Sequence, residues 1–148
     1  MKKVIYSSSE KETKTLASDV AVRIMASDPK KAVIITLSGD LGAGKTVFTK
    51  GFLASLGVKT RVTSPTFVIS KRYSIKKESF KNIFHFDCYR VRDPRELEVL
   101  GFKDIISDPR NIVLIEWPEN AGRLSPDFKI SIDHLPKENE RRITVVEK

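Results

Sequence analysis

The strongest constraint on this chain is an eight-residue stretch, Gly39-Asp40-Leu41-Gly42-Ala43-Gly44-Lys45-Thr46, which matches the phosphate-loop pattern G-x-x-x-x-G-K-[ST]. Its surroundings restrict the fold further. Val33, Ile34, Ile35, Thr36 and Leu37 form a short β-branched run suited to a buried strand. Residues 47–56 follow with Phe48, Phe52, Leu53 and Leu56 at helical spacing, and Gly57 stands where a helix end takes a glycine. Strand, loop and helix in this order point to an α/β fold with a nucleotide at the loop.

The residue types suit that ligand. Glycines let the backbone wrap closely round a polyphosphate, because they tolerate positive φ and carry no Cβ. The next helix turns its free N–H groups and positive dipole end towards the same anion, with Val47 in its first turn. Lys45 would set a point charge on the β- and γ-phosphates, and Thr46 would offer its hydroxyl to Mg²⁺.

At 148 residues the chain fits one domain, residues 1–148, long enough to bury a sizeable core. No apolar run approaches the length of a membrane span, and the start does not resemble a signal peptide. The single Cys88 has no partner for an internal disulfide, which suits a reducing, cytoplasmic location. His85 and His134 are too isolated for a zinc site; His85 is expected to pack within a strand or hydrogen-bond. A net charge of +8 permits contact with nucleic acid or an acidic partner without requiring it.

Along the chain, residues 4–6 suggest a first strand. Ser9 with Glu12 forms a capping box before a helix whose buried face carries Leu16, Ala17, Val20, Ala21 and Ile24. Residues 59–66 lack periodicity and contain Ser64, Pro65 and Thr66, and Pro65 disfavours helix at Ser64. This extended loop lies where nucleotide-dependent proteins often carry a switch, although an ordinary Ser/Thr turn has the same composition. Residues 67–73 and 82–87 look like an antiparallel pair, the second ending in Asp87. That acid could form a turn, hold Mg²⁺ or orient a water. Asp93 as N-cap and Pro94 at the first position open a short helix. Residues 111–116 end four buried-type residues in Glu116, the pattern of a Walker B strand. Residues 128–133 and 142–146 alternate as two half-exposed strands.

Taken together, these motifs resemble the bacterial TsaE (YjeE) family of small P-loop ATPases. The resemblance rests on the loop and on Ser64-Pro65-Thr66-Phe67, His85-Phe86-Asp87-Cys88-Tyr89-Arg90, Asp93-Pro94 with Glu96-Leu97-Glu98, Gly101, and Glu116-Trp117-Pro118. It runs over nearly the whole chain, and Cys88 departs from the leucine more usual there. It implies a mixed parallel and antiparallel central sheet flanked by helices, binding ATP or ADP and Mg²⁺ along residues 39–47. It further implies that Thr46 and Glu116 serve the metal with Asp87, that Asp87 is needed for hydrolysis, and that residues 64–67 form a switch. Lys45 then takes a catalytic part, and Trp117 lies close to the nucleotide, although an apolar anchor packed under the strand end or a partner-facing role suits a tryptophan there equally. The family's ATPase is weak alone and serves the TsaB–TsaD pair, which forms N6-threonylcarbamoyladenosine at position 37 of tRNAs reading ANN codons. The tRNA is then met through that complex.

Two other functions share some of these features. A small-molecule P-loop kinase would use Arg90, Arg92 and Arg95 as a lid, but the Glu116-Trp117-Pro118 context fits it poorly. A nucleotide-dependent switch or RNA-binding module would draw on the +8 charge and residues 64–67. For an ATPase, Arg90, Arg92 or a partner's arginine could stabilise the transition state.

Overall fold

Two runs, one before the glycine loop and one ending in Glu116, are apolar on both faces and can be buried along their length only at the centre of a covered sheet. The computed structural model, which describes residues 1–62, 65 and 68–148, places them there. The chain runs β1 (Lys2–Ser7), α1 (Glu10–Met25), β2 (Val33–Ser38), α2 (Lys45–Ser55), β3 (Ser70–Ser74) and β4 (Asn82–Asp87). It continues through α3 (Arg95–Glu98), α4 (Phe102–Ser107), β5 (Asn111–Glu116), a 3-10 turn (Pro118–Asn120), β6 (Phe128–His134) and β7 (Arg141–Glu147). The strands form one seven-stranded sheet in the order β1-β7-β6-β2-β5-β4-β3. Strands β6, β2, β5 and β4 pair in parallel, while β1–β7, β6–β7 and β3–β4 pair antiparallel. The α/β class and the mixed sheet are those the sequence suggests.

Strand periodicity divides the core in two. Val33, Ile35 and Leu37 of β2 join Leu16, Val20 and Ile24 of α1 and Phe48, Phe52 and Leu53 of α2 on one side of the sheet. Ile34, between them, joins Phe86, Val113, Ile115, Leu97 and Phe102 on the other. Register then decides where the polar ends emerge. Leu37 lies opposite Glu116, and Glu116 opposite Asp87, so the loop after β2 and both acids share the C-terminal edge of the parallel strands. Ligands of open α/β sheets bind at that edge.

The helix ends refine the expected boundaries. Ser9 Oγ accepts the Glu12 N–H at 3.1 Å as a capping box requires, but Glu12 reaches back to the N–H of Ser8, at 2.8 Å, rather than that of Ser9. Helix α2 begins at Lys45, two residues before the expected start, because Gly44 at φ +110° turns the loop straight into it. Regular helix in α3 begins at Arg95, after the expected Pro94. Asp93 still caps it: Asp93 Oδ1 accepts the Arg95 N–H at 2.9 Å, and Glu96 accepts the Asp93 N–H at 2.9 Å. Strand β3 covers Ser70–Ser74, where 67–73 was expected; Ile69, at φ +67°, is left-handed backbone that cannot extend the ladder, and Phe67 lies outside the described residues.

Helices α1 and α2 meet at Gly51, where a Cβ would lie 2.8 Å from the Cα of Lys14. Alanine would gain about 1 kcal/mol in helix propensity. Overpacking against backbone costs about 1–3 kcal/mol or more. Gly51→Ala is therefore expected to lower stability by up to about 2 kcal/mol, seen as a lower urea midpoint at unchanged slope. An equal or higher midpoint would show that separating the two helices costs no more than the gain in helix propensity.

Candidate functional site

The loop is shaped from within and held from outside. Gly39, at φ +154°, passes so close to β6 that a Cβ would stand 2.5 Å from the carbonyl oxygen of Ile132. The Ala43 N–H donates to Asp40 O at 3.0 Å and closes the turn. Two carbonyls of the loop are engaged by the β6–β7 hairpin: His134 Nε2 donates to Gly42 O at 2.7 Å, and Arg141 Nε to Ala43 O at 2.9 Å.

Lys45 is buried, 6% exposed, at the first position of α2. Its Nζ donates to Gly39 O at 2.6 Å and lies 4.2 Å from the centroid of the Trp117 ring, a cation–π contact. The Tyr89 ring lies tilted against Trp117, the centroids 5.0 Å apart. Thr46, the next residue, is exposed.

Asp87 and Glu116 are both buried, at 5% and 6% exposure. Asp87 Oδ1 accepts the Tyr89 N–H at 3.0 Å, and the Asp87 N–H donates to Ile69 O at 2.8 Å. Glu116 Oε2 accepts from His85 Nε2 at 2.7 Å. The two non-glycine residues with positive φ among those described both adjoin these acids. Ile69 supplies the carbonyl that Asp87 meets, and Trp117, at φ +55°, directly follows Glu116. Left-handed backbone in such residues is strained and gathers at functional sites.

A cleft of about 370 Å³ brings these groups together. Leu41, Gly42, Gly44, Lys45, Thr46 and Val47 line it with Asp87, Tyr89, Glu116 and Trp117. The remaining loop positions stand behind it: Gly39 against β6, Asp40 exposed at the turn, and Ala43 in the core at 1% exposure. Pro65 is buried, and Ser64 and Thr66 lie outside the described residues. Arg90 and Arg92 are exposed, and neither is among the cleft's lining residues. A second cleft of about 460 Å³ shares Gly42, Gly44 and Val47 and is completed by Ser8, Ser9, Glu10, Thr13, Asn139 and Arg141. Sequence reasoning missed this cleft, because the residues that complete it come from opposite ends of the chain and share no motif. It also missed Tyr89 as a wall of the first cleft; only the position two residues after Asp87 could have indicated it.

The arrangement is chemically specific. A buried ammonium, a helix N-terminus, a hydroxyl and two carboxylates in one cleft suit an anion bridged by a divalent cation. Among the described residues no group of three or more His, Cys, Asp or Glu could hold a metal by itself. Mg²⁺ commonly binds through one or two carboxylates together with substrate phosphates, and this donor set fits that habit.

Cys88 follows Asp87 but packs with Phe86, Val113 and Ile115 in the other core, 0% exposed, and is not poised as a nucleophile. Burial, and then the negative charges of Asp87, Glu116 and Glu119, push its thiol up to about 12. A raised thiol leaves almost no thiolate at neutral pH. Folded protein at pH 8 is expected to react with a thiol reagent at least about a hundredfold more slowly than urea-unfolded protein, followed by absorbance. Equal rates would show that the thiol is exposed and ordinary.

Comparison with known proteins identifies the family. The family model for the threonylcarbamoyl adenosine biosynthesis protein TsaE matches residues 7–144. The tRNA threonylcarbamoyladenosine biosynthesis protein TsaE of Haemophilus influenzae is 42% identical over 107 residues, which cover 71% of this chain and 65% of that protein. The protein of the same name from Rickettsia typhi is 36% identical over 95% of this chain and 91% of its own length. The crystal structure of Bacillus subtilis YdiB superposes with a TM-score of 0.71 at 30% identity, covering 99% of this chain and 86% of that one. Loop, strand-end acids, sheet order and overall sequence lead to one conclusion: the chain belongs to the TsaE family of threonylcarbamoyl adenosine biosynthesis proteins.

Proposed function

We propose that this chain is a Mg²⁺-dependent ATPase that supports a TsaB–TsaD complex in forming N6-threonylcarbamoyladenosine at position 37 of tRNAs reading ANN codons. The observation that carries the proposal is the single cleft in which Lys45, Thr46, Asp87 and Glu116 converge at the end of the parallel strands. Family membership supplies the pathway. The reading places the chain in the cytoplasm, with tRNA reached through the partner complex.

Each residue has a task that its position supports. Backbone N–H groups of the loop and of the start of α2 cradle the phosphates, and Lys45 exchanges its present partners for them. Thr46 and Glu116, with Asp87, would hold the Mg²⁺, and the ion would supply positive charge against the phosphate oxygens. Asp87, kept in place by Tyr89, orients the attacking water. Trp117 closes the wall beside the phosphates. The second cleft, between the N-terminal turn of α1 and Arg141, adjoins Gly42 and Gly44 and would receive the nucleoside.

Phosphoryl transfer to water depends on positioning and charge stabilisation. An arginine acting on the transition state adds about 10³–10⁵ in rate. Among the described residues no arginine lines the Lys45 cleft, which supports slow hydrolysis by the isolated chain and a rate that the partners raise.

The test is ATP turnover by the purified protein, alone and with TsaB and TsaD. Turnover is expected to be slow, to need Mg²⁺ and to rise with the partners. Lys45→Ala should lose tight nucleotide binding. Asp87→Ala should still bind ATP but hydrolyse it about a hundredfold or more slowly. Rapid hydrolysis indifferent to the partners would keep the ATP site and remove the proposed task. Unchanged hydrolysis by Asp87→Ala would reduce that residue to a turn former, and a phosphorylated metabolite would identify a kinase.

A further inference from the structure

The proposed chemistry leaves His85 without a task. It is 2% exposed in the middle of β4, and its Nδ1 has no hydrogen-bond partner among the described residues. Burying a ring nitrogen unpaired is unfavourable, and a position beside buried Ile83 and opposite buried Leu114 would suit an apolar side chain. Packing therefore does not account for a histidine here.

Its other nitrogen does. Side chains along a strand alternate, so Ile83, His85 and Asp87 share one face of β4, and Ile112, Leu114 and Glu116 share one face of β5. Ile83, Ile112 and Leu114 belong to the core beneath α2, so His85, Asp87 and Glu116 lie on the side of the sheet that carries Lys45 and Thr46. In the parallel register His85 is opposite Leu114, one step diagonally from Glu116. Its Nε2 meets Glu116 Oε2 at 2.7 Å, the short distance of a hydrogen bond to a charged group. A carboxylate only accepts, so Nε2 carries the proton.

We propose that His85 is a positioning residue that holds the Glu116 carboxylate by one oxygen and presets the other for a divalent cation shared with the nucleotide's phosphates. This rests on the ATPase reading above and adds a residue that acts through Glu116, touching neither metal nor nucleotide. Groups that orient a metal-binding side chain matter to the metal itself, and losing one typically costs about 10–100-fold in metal affinity.

The experiment measures Mn²⁺ affinity of ADP-saturated protein from the electron paramagnetic resonance signal of free Mn²⁺. Metal-free ADP affinity is read in parallel from Trp117, the chain's single tryptophan and a wall of the cleft. His85→Met removes the donor. His85→Asn keeps a polar amide but places its N–H near the former Nδ1, whereas His85→Gln reaches the former Nε2. Met and Asn are expected to weaken Mn²⁺ about tenfold while metal-free ADP affinity and melting temperature stay near wild type. Gln should recover most of the loss.

Equal Mn²⁺ affinity in all variants would overturn the proposal. So would parallel losses of Mn²⁺ affinity, ADP affinity and melting temperature, which would mark His85 as structural. Should the Met variant fail to fold, the Gln and Asn pair decides alone. Wild-type protein that binds ADP without any dependence on metal would overturn the ATPase reading itself, and His85's role with it.

Discussion

The parallel register of β2, β5 and β4 is the constraint on which the rest of the molecule depends. It aligns Leu37, Glu116 and Asp87 in one row, so that the loop leaving β2 and the acids ending the other two strands reach the same edge. A shift of one residue in any of these pairings would turn an acid to the opposite face of the sheet. Packing on both faces surrounds this row: Ile112, Val113, Leu114 and Ile115 are all 0% exposed. The packing of the two cores and the placement of the functional groups are one requirement.

The site is also held by elements far away in sequence. Helix α1 packs on α2 through Gly51, and so fixes the helix whose first residues are Lys45 and Thr46. The β6–β7 hairpin reaches the loop with His134 and Arg141, bonding the carbonyls of Gly42 and Ala43. A glycine-rich loop is the part of the chain with most backbone freedom to lose, so external bonds of this kind reduce what a ligand must order. These contacts join the N- and C-terminal parts of the chain at the loop.

Legibility in the sequence followed the range of the interactions. Residues 33–37 and 111–116, the helix carrying Phe48 and Phe52, and the Ser9 cap depend on neighbours a few positions away, and patterning was enough to find them. The loop and the acids at 87 and 116 were recognisable because strand-end chemistry is tied to local motifs. The bond from His85 to Glu116 spans 31 positions, and that from Arg141 to Ala43 spans 98, so neither leaves a periodic trace. The misplaced start of β3 has a different cause. A β-branched residue at position 69 favours extended backbone, yet tertiary structure holds Ile69 at φ +67° with its carbonyl on the Asp87 N–H. Local preference lost there to the demands of the site.

The same conflict occurs at Trp117. Left-handed backbone at a bulky residue costs about 1–3 kcal/mol. Without that turn, β5 would continue in its own direction and the indole would not stand over Lys45. Contacts of the ring with Lys45 and Tyr89 offset part of the strain, and the 3-10 turn is anchored by Asn120, whose Nδ2 donates to Cys88 O at 2.9 Å. The lysine is thereby kept desolvated and close to its loop by a carbonyl and an aromatic face, both weaker partners for an ammonium than a phosphate would be. An anion entering the cleft would replace these contacts and find the charge already stripped of water. The strain at residue 117 thus supports the placement of Lys45, and the two belong to one device built at the end of β5.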